Sequence, residues 1–209
     1  MPSRPEDLVR FGDQYAFPVN VRYPEQTVTL TATPGPVLPM RWGLVAVADP
    51  WYPERTPKFA ATTIGGGGDK STALTTVART CGEGGAVDVM PVAASAGDLD
   101  RVVSWQRVLQ NKQHFHLDSD SALGAFYEIT DAPLLQPLFE DFDYMKGVYD
   151  RALVDKVVPM DVDGRVAAVV FLCPDGSGLY PVYQGFNADM SAVAVTVDLR
   201  LLDIAERID

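Results

Sequence analysis

Hydrophobic positions in this chain recur at two periods, and each marks a different kind of element. From Thr27 to Thr33, Thr alternates with Val, Leu and Ala, the period-two pattern of a strand with one polar face. Leu44 to Ala48 is a short continuous apolar run, as expected of a buried strand. Lys58 to Ile64, Thr72 to Arg79, Ala86 to Ala94, Arg101 to Leu109, Val166 to Leu172 and Ala192 to Leu199 continue the strand pattern. The punctuation between these runs is rich in Gly, Pro and Asp. Pro34-Gly35-Pro36 predicts a turn, Asp49-Pro50-Trp51-Tyr52-Pro53 a stop, and Asp161 and Asp163 before Gly164 a tight turn. Gly65 to Ser71 and Gly82 to Gly85 predict hairpin tips, and Ser95 to Asp98 a further link.

Only one stretch repeats at helical spacing. Leu134, Leu135, Leu138, Phe142, Met145, Val148, Tyr149 and Ala152 recur three and four residues apart, with Thr130 or Asp131 as cap and Pro133 in the first turn. One helix over residues 132–155 is predicted, and Leu201 to Ile208 is a candidate short terminal helix. The expected fold is α+β: a largely antiparallel, twisted sheet of short strands carrying one substantial helix. Residues 1–209 read as a single globular domain, with 1–14 a loose lead-in.

Charge narrows the class of partner. The chain carries 28 acidic and 17 basic residues, a net charge of −11. Such a field repels phosphate backbones, which disfavours nucleic acid and favours a basic protein partner or a cation. The longest apolar runs are strand-sized, too short to span a membrane, and the first residues lack the apolar stretch of a signal peptide. The two cysteines, Cys81 and Cys173, form no disulfide framework and suit a reducing compartment. A cytoplasmic protein is expected.

The most specific local pattern is Cys173-Pro-Asp-Gly-Ser-Gly-Leu-Tyr-Pro-Val-Tyr-Gln-Gly185. Gly176 and Gly178 can supply positive φ in a turn, and Tyr180 and Tyr183 can stand on the strand that follows. Gly176, Gly178, Tyr180, Pro181, Tyr183 and Gly185 resemble the C-terminal signature of a bacterial family known as domain of unknown function 4241, with Asp198 where that family has a late Asp. Ser177 stands in place of its usual Asp, Asp175 in place of its first Trp, and Gln184 in place of its second. Weaker echoes run through Leu38 to Pro50, through Val102 to Leu109 with Trp105, and through Phe115 to Phe126. The family has no established activity, so the resemblance implies no catalytic residue.

Three groupings could carry chemistry. In a strand, His114, His116, Asp118 and Asp120 would share one face, and His114, His116 and Asp118 form a candidate metal set. A turn at Asp118-Ser119-Asp120-Ser121 would splay them. Trp105, Tyr180 and Tyr183 could rim a small-molecule pocket. Glu140, Asp141 and Asp143 lie off the helix's apolar stripe and could form an acidic docking ridge. Gly68-Asp69-Lys70-Ser71 fails as a phosphate loop, because Asp69 interrupts the motif and would repel a phosphate. Ser177 lacks the spacing of a nucleophile elbow. No catalytic set and no cofactor is predicted. The reading is a non-enzymatic cytoplasmic binding protein, an immunity- or antitoxin-like inhibitor of a basic protein. The alternative is a metal-dependent enzyme or small-molecule-binding module using the His114/His116/Asp118 face.

Overall fold

A computed structural model of the 209-residue chain describes residues 14–17, 26–52, 61–65, 68–81, 86–110, 113–199 and 206–207. Among these, the first half of the chain forms β1 (Gln14–Phe17), β2 (Gln26–Met40), β3 (Leu44–Ala48), β4 (Ala61–Thr63), β5 (Gly68–Cys81) and β6 (Ala86–Gly97). Next come β7 (Ser104–Arg107), β8 (Leu109–Gln110), β9 (Gln113–His114), β10 (His116–Ser119) and β11 (Leu123–Glu128). Helices α1 (Ala132–Phe139) and α2 (Phe142–Asp155) follow, then β12 (Val157–Val162), β13 (Arg165–Leu172), β14 (Gly178–Phe186), β15 (Ala192–Asp198) and β16 (Glu206–Arg207). The α+β class predicted from the sequence is what the chain adopts.

Two sheets and a helical layer stack in that order. The large sheet runs β10-β14-β15-β6-β5-β2-β1-β16, with β7 also on β14; the smaller runs β12-β13-β11-β3-β4. Every strand pair among the described residues is antiparallel. The smaller sheet is the middle layer, and its central strands β3, β11 and β13 are apolar on both faces for that reason. Val45, Val47, Phe126, Val169 and Phe171 pack into the cluster shared with the large sheet. Ala46, Ala48, Ala125, Tyr127, Val170 and Leu172 alternate with them and meet Leu135, Phe139, Met145, Val148 and Ala152 of the helices. The continuous apolar runs in β3 and β13 are thus two half-buried patterns interleaved.

The strands are longer than their punctuation suggested. Pro34-Gly35-Pro36 does not end β2; its pairing with β5 shifts between Pro34 and Val37, so Gly35 and Pro36 together oppose Thr72. This bulge absorbs the prolines, because among the described residues β1 pairs only with Gln26 to Thr29 and no other strand pairs along that edge of β2. The Thr72 hydroxyl donates to the Pro36 carbonyl. Nor is Gly65 to Ser71 a hairpin tip. β4 pairs with β3, whereas β5 pairs with β2 and β6, so the segment crosses from one sheet to the other and Asp69 to Ser71 lie within β5. The second glycine-rich segment, 82–85, lies outside the described residues, but β5 and β6 on either side of it pair as a hairpin. Ser95 to Gly97 belong to β6.

The helix predicted over 132–155 is two helices. Pro137 lies inside α1, Glu140 closes it, and Asp141 turns extended and caps α2 by accepting from the Tyr144 amide at 3.0 Å. The apolar stripe survives the break except at Leu134 and Phe142, which are 37% and 63% exposed. The predicted terminal helix is corrected where it is described: Glu206 and Arg207 pair with β1 as a strand, because an open edge there accepts a ladder. The lead-in, residues 1–13, lies outside the described residues. The turn at Asp163 and Gly164 forms as predicted, with both residues at positive φ. Among the described residues no helix is long and apolar enough to cross a membrane.

Two buried carboxylates fasten the β3–β11 pair, one at each end. Asp49, just past β3, accepts from the Asp120 and Ser121 amides at 2.8 Å, the Ser121 hydroxyl at 2.6 Å and the Trp51 amide at 2.9 Å. Glu128, the last residue of β11, accepts from the Arg41 and Trp42 amides just before β3. Each carboxylate therefore holds the turn that leads into its neighbour strand. Burial pushes the Asp49 pKa above its ordinary 3.8, more than the opposing hydrogen bonds lower it. Asp49→Ala, which orphans these donors, is expected to cost about 2–4 kcal/mol in urea unfolding. A carboxyl-carbon titration by NMR should place the Asp49 midpoint above 3.8. The folded state then holds its proton more tightly than the unfolded one, so this group's contribution to stability falls as pH rises from 3.8 through that midpoint. A midpoint below 3.8 would reverse the sign.

Candidate functional site

The corner between α1 and α2 gathers the exposed carboxylates that the sequence singled out. Glu140, Asp141 and Asp143 are all exposed, but they flank the helix break instead of lying along one helix. Their local roles differ. Glu140 accepts from the Gln136 side-chain amide at 2.8 Å, Asp141 caps α2, and Asp143 sits in the first turn, where the helix dipole favours a negative charge. No cation pairs with any of the three among the described residues. Nearby cations are engaged elsewhere: Lys146 with Asp150 at 2.5 Å, Arg151 with the Pro159 carbonyl at 2.9 Å, and Lys156 with the Leu153 carbonyl at 2.7 Å.

Between Asp141 and Asp143 stands Phe142. Its ring meets Trp51 edge to face, with centroids 5.7 Å apart, and Trp51 in turn meets Tyr149 at 6.0 Å. One side of the phenyl ring is therefore fixed on a half-buried indole while most of its surface faces water. The apolar periodicity placed Phe142 in the core; its position at the first residue of α2, directly after the break, is what displays it.

The histidine face is divided by a change of strand. His114 lies on β9, which among the described residues pairs only with β8, while His116 and Asp118 lie on β10 against β14. The alternation itself holds, since Phe115, Leu117 and Ser119 point inward and His114 and Asp118 are exposed. His116 Nε2 lies 2.6 Å from Arg107 Nη2, and the Arg107 guanidinium sits 5.2 Å from the centre of the Tyr183 ring. Among the described residues no three His, Cys, Asp or Glu side chains converge as a metal set.

The aromatic trio is built into the sheet. Trp105, Tyr180 and Tyr183 are buried, at 8%, 1% and 8% exposure. The Tyr180 hydroxyl donates to the Gly176 carbonyl at 2.7 Å, which closes the turn before β14. Gly176 has a φ of 82°, whereas Gly178 opens β14 without positive φ, so only the first of the two glycines serves the turn. Gly185 instead makes room for a neighbour, since a Cβ there would come within 2.8 Å of Val102 and 3.0 Å of the Trp105 ring. Ser177 donates to the Asp120 carbonyl at 2.7 Å, and the Cys173 thiol, fully buried and free, is pushed well above its ordinary pKa by burial. Both therefore serve packing, and a thiol in that state is a poor nucleophile. The Cys81 side chain lies outside the described residues.

No family model, curated protein or solved structure matches the chain. Asp49, Glu128 and the exposed Trp42 escaped the sequence reading. The one visible signal was a lone acidic residue closing each of two apolar strands.

Three glycine substitutions separate these roles. Gly176→Ala should lower stability by about 1 kcal/mol through its positive φ. Gly185→Ala should cost about 1–3 kcal/mol by overpacking against Trp105. Gly178→Ala should leave the thermal midpoint nearly unchanged, since its added methyl meets nothing closer than 3.7 Å. A Gly178→Ala loss as large as that at Gly176 would contradict the turn assignment.

Proposed function

We propose that the protein is a non-enzymatic, cytoplasmic binding protein that docks a basic protein through the α1–α2 corner, in the manner of an immunity- or antitoxin-like inhibitor. The observation that carries this reading is Phe142: a 63% exposed aromatic ring, anchored on Trp51 and flanked by carboxylates that no cation among the described residues neutralises. An aromatic anchor with a charged rim is the usual composition of an interface hot spot. The net charge of −11 extends the same sign over the whole molecule and would speed encounter with a basic surface.

Two kinds of variant test the two parts of the surface. Glu140→Lys with Asp143→Lys and Asp141→Asn changes the charge while Asn keeps the cap. A partner recovered from the native cell should then associate at least ~10-fold more slowly, with little change in dissociation. Raising the salt should mimic that effect, because exposed charges are screened within about 10 Å at 0.1 M. Phe142→Ala should instead speed dissociation by ~10-fold or more. A basic partner whose association ignores salt and the charge variant would show that it docks elsewhere.

A further inference from the structure

A second surface feature is independent of that corner. The turn between β2 and β3 overhangs a cleft of about 610 Å³ whose lining includes Arg41, Trp42, Asp69, Thr130, Asp131 and Arg165. Several of its charges are already engaged. Glu128 accepts from the Arg41 and Trp42 amides, and Arg165 grips Asp131 with two hydrogen bonds of 2.6 and 2.8 Å. Four groups remain available: the indole of Trp42, 60% exposed, the Arg41 guanidinium, the Asp69 carboxylate and the Thr130 hydroxyl. Neither of these two charged groups has a side-chain partner among the described residues.

Those remaining groups define a ligand chemistry. A guanidinium donates, a carboxylate accepts, the Thr130 hydroxyl does either, and the indole offers a flat apolar face. An anion would meet Asp69 as a like charge, and a cation would meet Arg41. A neutral ligand with several hydroxyls satisfies both and sheds no hydration from a formal charge of its own. The Glu128 clamp fixes the backbone of the Arg41–Trp42 turn in advance, which lowers the entropic cost of capture. We propose that this cleft binds a neutral saccharide, with a sugar ring stacked on Trp42 and its hydroxyls shared between Arg41 and Asp69. The volume lies within the ordinary range for a small-molecule site.

Intrinsic fluorescence provides the test, because Trp42 is exposed while Trp51 is half-buried and Trp105 buried. The protein is titrated with cellobiose, maltose, lactose and N,N′-diacetylchitobiose, each to about 10 mM, a range that captures millimolar sites. At least one should give a saturable change. Trp42→Ala should weaken that binding ~10-fold or more by calorimetry, and Asp69→Asn by ~3-fold, both with unchanged thermal midpoints. The proposal is overturned if none of the four sugars gives a saturable change, or if the affinity survives Trp42→Ala. It is equally overturned if glycylglycine or inorganic phosphate produces the Trp42-dependent response and no sugar does.

Discussion

The rest of this structure depends on a middle sheet that is buried on both faces. Its strands cannot use the usual division into a wet and a dry side, so nearly every side chain of β3, β11 and β13 must be apolar and sized to its layer. That leaves the strand ends as the places where polar groups can be satisfied. Asp49 and Glu128 occupy opposite ends of the β3–β11 pair, since Ala48 lies opposite Ala125 and Val45 opposite Glu128. Each directs its oxygens to backbone amides of the turn entering the other strand. A buried carboxylate without such donors would be costly, and the turns without the carboxylates would leave amides unpaired. The two requirements answer each other.

This arrangement also explains where binding surfaces can form. One face of the middle sheet is taken by the large sheet and the other by α1 and α2, so the proposed binding surfaces lie at the rims. The break at Glu140 and Asp141 turns Phe142 outward at one rim. At another, the Glu128 clamp holds the Arg41–Trp42 turn over its cleft. In both cases an exposed aromatic side chain belongs to a segment whose backbone is held by a carboxylate: Asp141 on the Tyr144 amide, and Glu128 on the Arg41 and Trp42 amides. Fixed aromatic groups of this kind lose little freedom on binding.

Local patterns carried the elements well, and long-range partners were the hidden part. The apolar run Leu44 to Ala48 and the turn at Asp163-Gly164 were legible because each depends on neighbouring residues alone. Pro34-Gly35-Pro36 misled because a bulge on an edge gives prolines a place inside a strand, and only the partner strand shows that. Gly65 to Ser71 misled similarly: the glycines mark a crossing between sheets, which looks like a hairpin tip until β4 and β5 are assigned different neighbours. The carboxylates at Glu140, Asp141 and Asp143 were legible as an exposed group, while the display of Phe142 was not, since it follows from the helix break. Asp49 and Glu128 reach partners 71 and 72, and 86 and 87, residues away, a separation at which a single sequence gives no pairing signal.

Native-state hydrogen exchange at the Arg41, Trp42, Asp120 and Ser121 amides tests the clamp most directly. All four lie in turns outside the strand ladders, where exposed amides ordinarily exchange through small local openings. If the two carboxylates fasten the central pair, these amides should share the protection of the β3 and β11 core and open only with it. Exchange at rates typical of surface turns, with the core amides still protected, would contradict the account.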